Sequence, residues 1–379
     1  MAEIKTPRVY YSEPGAIEHL ADFVYGLGKK ALILGGPTAL SLVGQRVFVQ
    51  LEAAGIQYQT ASYAGRPTKQ ASCSFALLAT QWDADFIVGI GGGRAIDTAK
   101  FTASEAGLPV IAIPTIAATC AAFAATVVTY DETGVSTGFF VPLQSPVAVF
   151  ADTEVIAQAP SRYLKSGLAD TLAKWYENQS VLKYSDSLFL HQQLVNARLA
   201  MDIITKRAPD VLSRLDQLEQ SDSEARRVVG WQSDFIELVD AVILLAGLVG
   251  CITANTDYSG LAHPFYTACT WLRQTDIRLH GERVAYGLVA QAVALGESEE
   301  FIEELLNLLT MLDQPLTLEQ IGVSGNRCED RVLLAEKTVE NLGRFEVNGQ
   351  KPSIAFLKEV FDRTDKLQHW RKNGQEAVA

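Results

Sequence analysis

Residues 89–100 read GIGGGRAIDTAK and follow directly on the run WDADFIV. An apolar run, three consecutive glycines and a helix-like pattern predict a strand end, a tight turn and a helix start within a dozen residues. Glycine loses more backbone freedom on folding than any other residue, so a run of three asks what must approach the main chain. At a strand-to-helix junction, orphan N–H groups and the positive end of the helix dipole favour a phosphate. The pattern is not the G-x-G-x-x-G dinucleotide fingerprint, because RAIDTAK follows Gly93.

Outward from this motif, the first 150 residues alternate β-rich runs with helical patterns. KKALILGG (29–36), IQYQTASY (56–63), DFIVGIGGG (85–93), LPVIAIPT (108–115) and SPVAVFAD (145–152) read as strands. Three of them lack a polar alternate face, as parallel strands covered on both sides do. Strand–helix alternation predicts a doubly wound α/β domain. VVTYDETG (127–134) and STGFFVP (136–142) read as an inserted antiparallel hairpin. After Pro160 strand signals fade and long helical patterns take over, which predicts an α/β domain over residues 1–160 and an all-α domain over 161–379. The tail from about residue 366 reads as polar and loosely held.

The bulk numbers agree with this division. A chain of 379 residues exceeds what one core ordinarily serves. A net charge of −12 argues against nucleic-acid or anionic-membrane partners and leaves a small-molecule substrate. Five scattered cysteines without a CxxC pair read as reduced thiols of a cytoplasmic protein. The N-terminal MAEIKTPRVYYSEPG has no apolar h-region and is not a secretion signal. DAVILLAGLVGCITA (240–254) is too short to span a bilayer and reads as a buried helix.

GGG-xxx-D-xx-K, here Gly91 to Lys100, resembles the signature of the iron-containing alcohol dehydrogenase and glycerol dehydrogenase superfamily. PTIAATCAAFAATVVTY (114–130), GLADTLAKWYE (167–177), GLAHPF (260–265) and LHGERVAYG (279–287) extend the resemblance in family order across most of the chain. It implies a Rossmann-like domain followed by a helical one, the dehydroquinate synthase-like fold, with a metal in the cleft between them. It places Asp170, His263 and His280 on that metal. Three protein ligands leave an open position, as a catalytic site requires. Where iron-type members carry a fourth-residue His after the Asp, this chain has Lys174. The set therefore resembles the glycerol-dehydrogenase branch and implies Zn²⁺, although Fe²⁺ and Mn²⁺ also suit two nitrogens and one carboxylate. A divalent ion acidifies an alcohol or polarises a ketone, so that hydride passes between substrate carbon and nicotinamide.

The same positional transfer sets the cofactor contacts. Gly92, Gly93 and Arg94 are expected along the pyrophosphate, with Asp97 in the same motif. Thr115 and Ala118 are expected beneath the adenosine and phosphates, and Ala124, Thr126 and Tyr130 on the nicotinamide side. The role of Lys100 does not follow from spacing.

Three departures from glycerol dehydrogenases carry the substrate and cofactor reading. Gly36 stands where the family usually has an Asp for the ribose 2′-hydroxyl, so repulsion of a 2′-phosphate is absent and NADP(H) is expected to compete with or displace NAD(H). Cys120 stands where a carboxylate faces polyol hydroxyls, which favours an anionic substrate, and the surrounding motifs resemble a hydroxycarboxylate dehydrogenase branch. Tyr266 replaces a second His, and Pro264 beside the ligand fits only a helix's first turn. The expectation is an NAD(P)H-linked dehydrogenase of hydroxycarboxylates or 2-oxo acids, a homo-oligomer as family members commonly are. Glycerol is the alternative substrate within the same chemistry. A dehydroquinate-synthase-like lyase would need more basic residues than Lys165 and Lys174, and a non-enzymatic nucleotide binder would not need the ligand triad.

Overall fold

The computed structural model describes residues 3–179, 187–218, 223–253, 260–324 and 328–376. Its strands, in chain order, are β1 (Glu3–Ile4), β2 (Val9–Glu13), β3 (Lys30–Gly35), β4 (Gln57–Ser62), β5 (Phe86–Gly91), β6 (Val110–Pro114), β7 (Val127–Tyr130), β8 (Ser136–Phe140), β9 (Ala148–Asp152) and β10 (Ile252–Thr253). Six form a wholly parallel sheet in the order β2-β9-β6-β5-β3-β4. Successive residues of β3 show why the apolar runs are continuous. Ala31 and Ile33 pack with Val43, Val47 and Leu51 of the helix Pro37–Ala53 on one face. Leu32 and Leu34 pack with Ala79, Ala99 and Ala103 on the other. A sheet covered on both faces has no solvent side to mark with polar residues.

The five expected strands form, each a residue or more shorter than its apolar run, and β7 and β8 pair antiparallel as the expected hairpin. The edge strand β2, whose residues are mostly half-buried, escaped the sequence reading. It pairs with β9 at the far side of the sheet from β4.

From Thr153 the described residues are almost entirely helical, with helices over Ser161–Asn178, Leu188–Gln217, Ala262–Cys269 and His280–Leu295 among them. The segment expected as one buried helix from 240 is interrupted. A wide π-type turn at Ala241–Leu245 precedes the short helix Ala246–Cys251, and β10 follows; residue 254, the last of the expected helix, lies outside the described residues. The C-terminal segment expected as a loose tail continues a helix as far as Glu376. The largest apolar cluster joins Ile96, Ala112 and Val149 of the sheet half to Leu168, Leu172, Val211 and Val242 of the helical half, so the two halves share a core. No helix among the described residues is long and apolar enough to cross a membrane.

Candidate active site

The chain leaves β3 for β4 on one side, then crosses back to β5 on the other. The carboxyl ends of β3 and β5 therefore flank the topological switch point, where open α/β sheets bind ligands. Two helices start there. Gly36 is the N-cap of Pro37–Ala53 and Gly92 that of Gly93–Ala106; neither has a side-chain cap or an acidic residue in its first turn. The orphan N–H groups of both turns are thus left for a ligand. Gly91 lies at φ 141°, and a Cβ on it would come within 3.8 Å of the Gly36 nitrogen, so the two glycine turns are neighbours. A Cβ on Gly36 would meet nothing within 4 Å, since that position faces open space.

These turns line a cleft of about 1200 Å³ that also takes in Gly93, Arg94, Thr115, Ala118, Tyr130 and His280. A smaller pocket of about 370 Å³ adjoins it, lined by Cys120, Ala124, Thr126, Asp170, His263 and Tyr266 among others. Gly93, Arg94, Thr119, Tyr130, Tyr266 and His280 border both. The residues expected beneath the phosphates thus lie in the larger cleft and those expected at the nicotinamide end border the smaller one. Gly93 has a second reason to lack a side chain, because a Cβ there would fall 2.8 Å from Thr119 Oγ1.

Asp97 borders the smaller pocket and not the larger cleft; its buried carboxylate accepts from Lys100 Nζ at 3.0 Å and from the Val128 N–H at 3.2 Å. Burial raises the carboxyl above its usual range against the pull of Lys100. Lys100 also donates to the carbonyls of Ala121, Ala124 and Thr126. The pair is a buried brace for the loop after β6, which gives Lys100 the role that spacing could not supply.

Three helices converge to place the candidate ligands. Close crossings bring them together: a Cβ on Gly281 would lie 1.9 Å from the Ser166 carbonyl oxygen, and one on Gly287 would lie 2.6 Å from Ala262 Cα. The helix starting at His280 thereby packs against those carrying Asp170 and His263. Asp170 Oδ1 stands 3.3 Å from His263 Nε2 and 3.2 Å from His280 Nε2. The three donor atoms lie within 4.8 Å of one another. Pro264 falls in the first turn of Ala262–Cys269, where its missing N–H costs no helical bond.

Charge distribution within the triad suits a divalent cation. Burial pushes Asp170 up, but Lys174, His280 and hydrogen bonds from both histidines outweigh it and hold the carboxyl well below its usual range. Burial pushes His280 down, keeping a lone pair available. Glu177, fully buried, accepts from His263 Nδ1 at 2.5 Å and from the His263 backbone N–H at 3.1 Å. That contact holds the ring with Nδ1 toward Glu177 and Nε2 toward Asp170 and Lys174, the orientation a carboxylate commonly gives a metal-binding imidazole. One carboxylate oxygen and two imidazole nitrogens, aimed at one point and leaving the adjoining pocket open, fit an ion such as Zn²⁺. Glu177 lies seven residues beyond Asp170 in GLADTLAKWYE, two turns along the same helix face, a spacing by which sequence reasoning could have found it.

Tyr266 touches His280 edge-on, with ring centroids 4.1 Å apart, and its hydroxyl meets that of Tyr130 at 2.5 Å. Arg66 lies over the Tyr130 ring and Arg283 over the Tyr266 ring. Arg66 also pairs with Asp276 across the cleft at 2.5 Å. These contacts tie the hairpin of the sheet half to the helical half. Sequence reasoning missed all three; Arg66 meets Gly134 and Asp276 across 68 and 210 positions, too far for a local pattern to show.

A long cleft at a switch point, opening on three side chains that could hold a metal ion, suits an oxidoreductase that uses a nicotinamide cofactor and a divalent metal. Comparison with known proteins agrees. Residues 7–153 match the family Iron-containing alcohol dehydrogenase. Hydroxycarboxylate dehydrogenase A of Escherichia coli K12 is 31% identical over 334 residues, covering 84% of this chain and 85% of the relative. Glycerol dehydrogenase of Thermotoga maritima is 32% identical over 299 residues, covering 77% of each. The crystal structure of glycerol dehydrogenase from Schizosaccharomyces pombe superposes with a TM-score of 0.84 at 24% identity, covering 98% of this chain and 92% of that one. The chain belongs to the iron-containing alcohol dehydrogenase family and is an enzyme of that family.

Proposed function

We propose that the enzyme transfers hydride between a nicotinamide cofactor in the larger cleft and a small hydroxycarboxylate or 2-oxo acid in the adjoining pocket. The observation that carries the reading is Cys120. It borders that pocket beside the triad, where burial pushes its thiol up and keeps it neutral. A thiol offers a polyol no strong acceptor and an anion no repulsion. Of the acids bordering the pocket, Asp97 is engaged by Lys100, and Asp170 belongs to the triad. The E. coli relative named for hydroxycarboxylates points the same way.

Each residue then has a task. Asp170, His263 and His280 would hold the divalent ion, Zn²⁺ in the first instance, which supplies the Lewis acid for carbonyl polarisation. Glu177 keeps His263 in its ligating orientation. Gly36, Gly92, Gly93 and Arg94 receive the cofactor phosphates, and the open space at Gly36 favours NADP(H) over NAD(H). Thr115 and Ala118 line the adenosine side, while Ala124, Thr126 and Tyr130 flank the nicotinamide. Tyr266 stands between the triad and Tyr130, placed to offer a hydroxyl hydrogen bond to substrate. Residues 1–160 thus bind the cofactor and lend Cys120 to the substrate pocket, and residues 161–379 serve the metal and substrate.

Initial rates of NADPH and NADH oxidation by zinc-loaded protein, with 2-oxobutyrate and dihydroxyacetone side by side, test this reading. Faster turnover of 2-oxobutyrate with NADPH is expected. Turnover confined to dihydroxyacetone with NADH would overturn it in favour of a polyol dehydrogenase, as the T. maritima relative is named.

A further inference from the structure

Two contacts cross from the sheet half to the helical half over the larger cleft, and with their neighbours they close a ring of side chains. Arg66 Nη2 donates to Asp276 Oδ1 at 2.5 Å, and the Tyr130 and Tyr266 hydroxyls meet at 2.5 Å. Within the sheet half, the Arg66 guanidinium lies over the Tyr130 ring, 4.9 Å from its centroid. Within the helical half, Arg283 lies over the Tyr266 ring at 4.8 Å, and its Nη1 stands 3.6 Å from Asp276 Oδ1. All five residues line the larger cleft, and Tyr130 and Tyr266 also border the smaller pocket. The ring therefore spans the cleft where it passes into the pocket.

The ring is suited to opening. A buried apolar core joins the two halves elsewhere, whereas the ring is polar and reached by solvent: the Asp276 side chain is 41% exposed and that of Arg66 18%. An ion pair so exposed and one cation–π contact together favour a closed form over an open one by roughly three- to thirtyfold. Arg66 stands in the connection between β4 and the helix Lys69–Gln81, and its Nη1 donates to the Gly134 carbonyl in the hairpin turn at 2.9 Å. The Tyr130 N–H donates to the Pro67 carbonyl at 3.0 Å, so connection and hairpin are fastened to each other. Asp276 sits in the short 3₁₀ turn Arg273–Ile277. Both ends of the ion pair thus belong to connecting segments, which can shift while the sheet and long helices stay intact.

We infer that Arg66 and Asp276 form a clasp across the cleft, which must open for the dinucleotide to enter or leave and which, when shut, holds Tyr130 and Tyr266 over the passage to the substrate pocket. The inference rests on the cleft holding a nicotinamide cofactor, and it is independent of which substrate is reduced. A clasp acts on the population of the open form. It slows entry and exit alike and leaves affinity nearly unchanged. Loss of a residue that only touches the cofactor changes exit and spares entry.

Stopped-flow fluorescence of NADPH, with NADH beside it, gives association and dissociation rates without turnover. Asp276→Asn removes one charge at nearly constant shape, and Arg66→Met removes the other together with the contact on Tyr130. Each should raise both rates, by roughly three- to thirtyfold for Arg66→Met and less for Asp276→Asn, while Kd shifts by less than about threefold. The double variant should exchange cofactor no faster than Arg66→Met, because the two substitutions break the same ion pair. Faster dissociation with unchanged association would make the two residues cofactor contacts and overturn the clasp. Unchanged rates, or effects that multiply in the double variant, overturn it as well. A wild type that binds neither nucleotide refutes the cofactor reading and the clasp with it. Failure to reduce 2-oxobutyrate, with exchange rates that respond as expected, refutes the substrate reading alone.

Discussion

Replacing Glu177 with glutamine isolates what holds His263 in place. The carboxylate is fully buried and receives two N–H donors from one residue, the His263 ring at 2.5 Å and its main chain at 3.1 Å. Glutamine has nearly the same shape but offers one acceptor oxygen and one NH₂. Turned one way, the amide NH₂ opposes the His263 main-chain N–H; turned the other, it meets Nδ1 and drives the ring proton to Nε2, the ligating atom. An unmet buried donor costs about 1–3 kcal/mol, and loss of a ligand-orienting partner commonly weakens metal binding about 10–100-fold. A pH dependence follows. Burial lowers the His263 pKa, but Glu177 and Asp170 together outweigh it and the folded value lies above the ordinary one. In the wild type a proton therefore competes with the metal at mildly acid pH. Without the Glu177 charge, that competition weakens. The deficit of Glu177→Gln in Zn²⁺ affinity should then be largest near pH 8 and shrink toward pH 6. Chelator competition at both values, with melting of the metal-free protein as a stability control, reads the effect. Affinity equal to wild type at pH 8, or a deficit that grows as pH falls, would refute the reasoning.

Two further outcomes follow from other contacts. Gly36→Asp should fold normally, because the site is open and its φ of −68° suits any residue; KM for NADPH should rise at least about tenfold while that for NADH holds or falls, and unchanged KM values for both would dissociate Gly36 from cofactor choice. Lys100→Met should lower stability by about 3–5 kcal/mol, since it strands Asp97 and three carbonyls in the interior; a melting temperature within a degree or two of wild type would show that the brace carries no such weight.

Much of this molecule could be read from short-range pattern. The sheet strands covered on both faces announced themselves as apolar runs, and the glycine run marked the switch-point turn. Asp170, His263 and His280 lie 93 and 17 residues apart in chain order, and only the motif resemblance joined them; the close helix crossings at Gly281 and Gly287 explain how they meet. What stayed hidden depended on partners distant in sequence. Strand β2 has residues that are half-buried at a sheet edge, which blurs its pattern. Asp97 shares a motif with the phosphate turn, yet the next helical turn points it at Lys100 and the loop behind. Arg66, Asp276 and Arg283 look like ordinary surface charges until the cleft is assembled.

The pairing of β1 with β10 has a consequence for how the chain is made. Glu3 and Ile4 lie antiparallel to Thr253 and Ile252, and the Lys5 N–H donates to the Cys251 carbonyl. Strand β2, just beyond, waits for β9 to complete the sheet. On the ribosome, β1 is therefore made some 250 residues before the strand it pairs with. Until β9 is made, about 140 residues after β2, the nascent sheet ends at β6, an unfinished edge that a chaperone or a neighbouring nascent chain can reach.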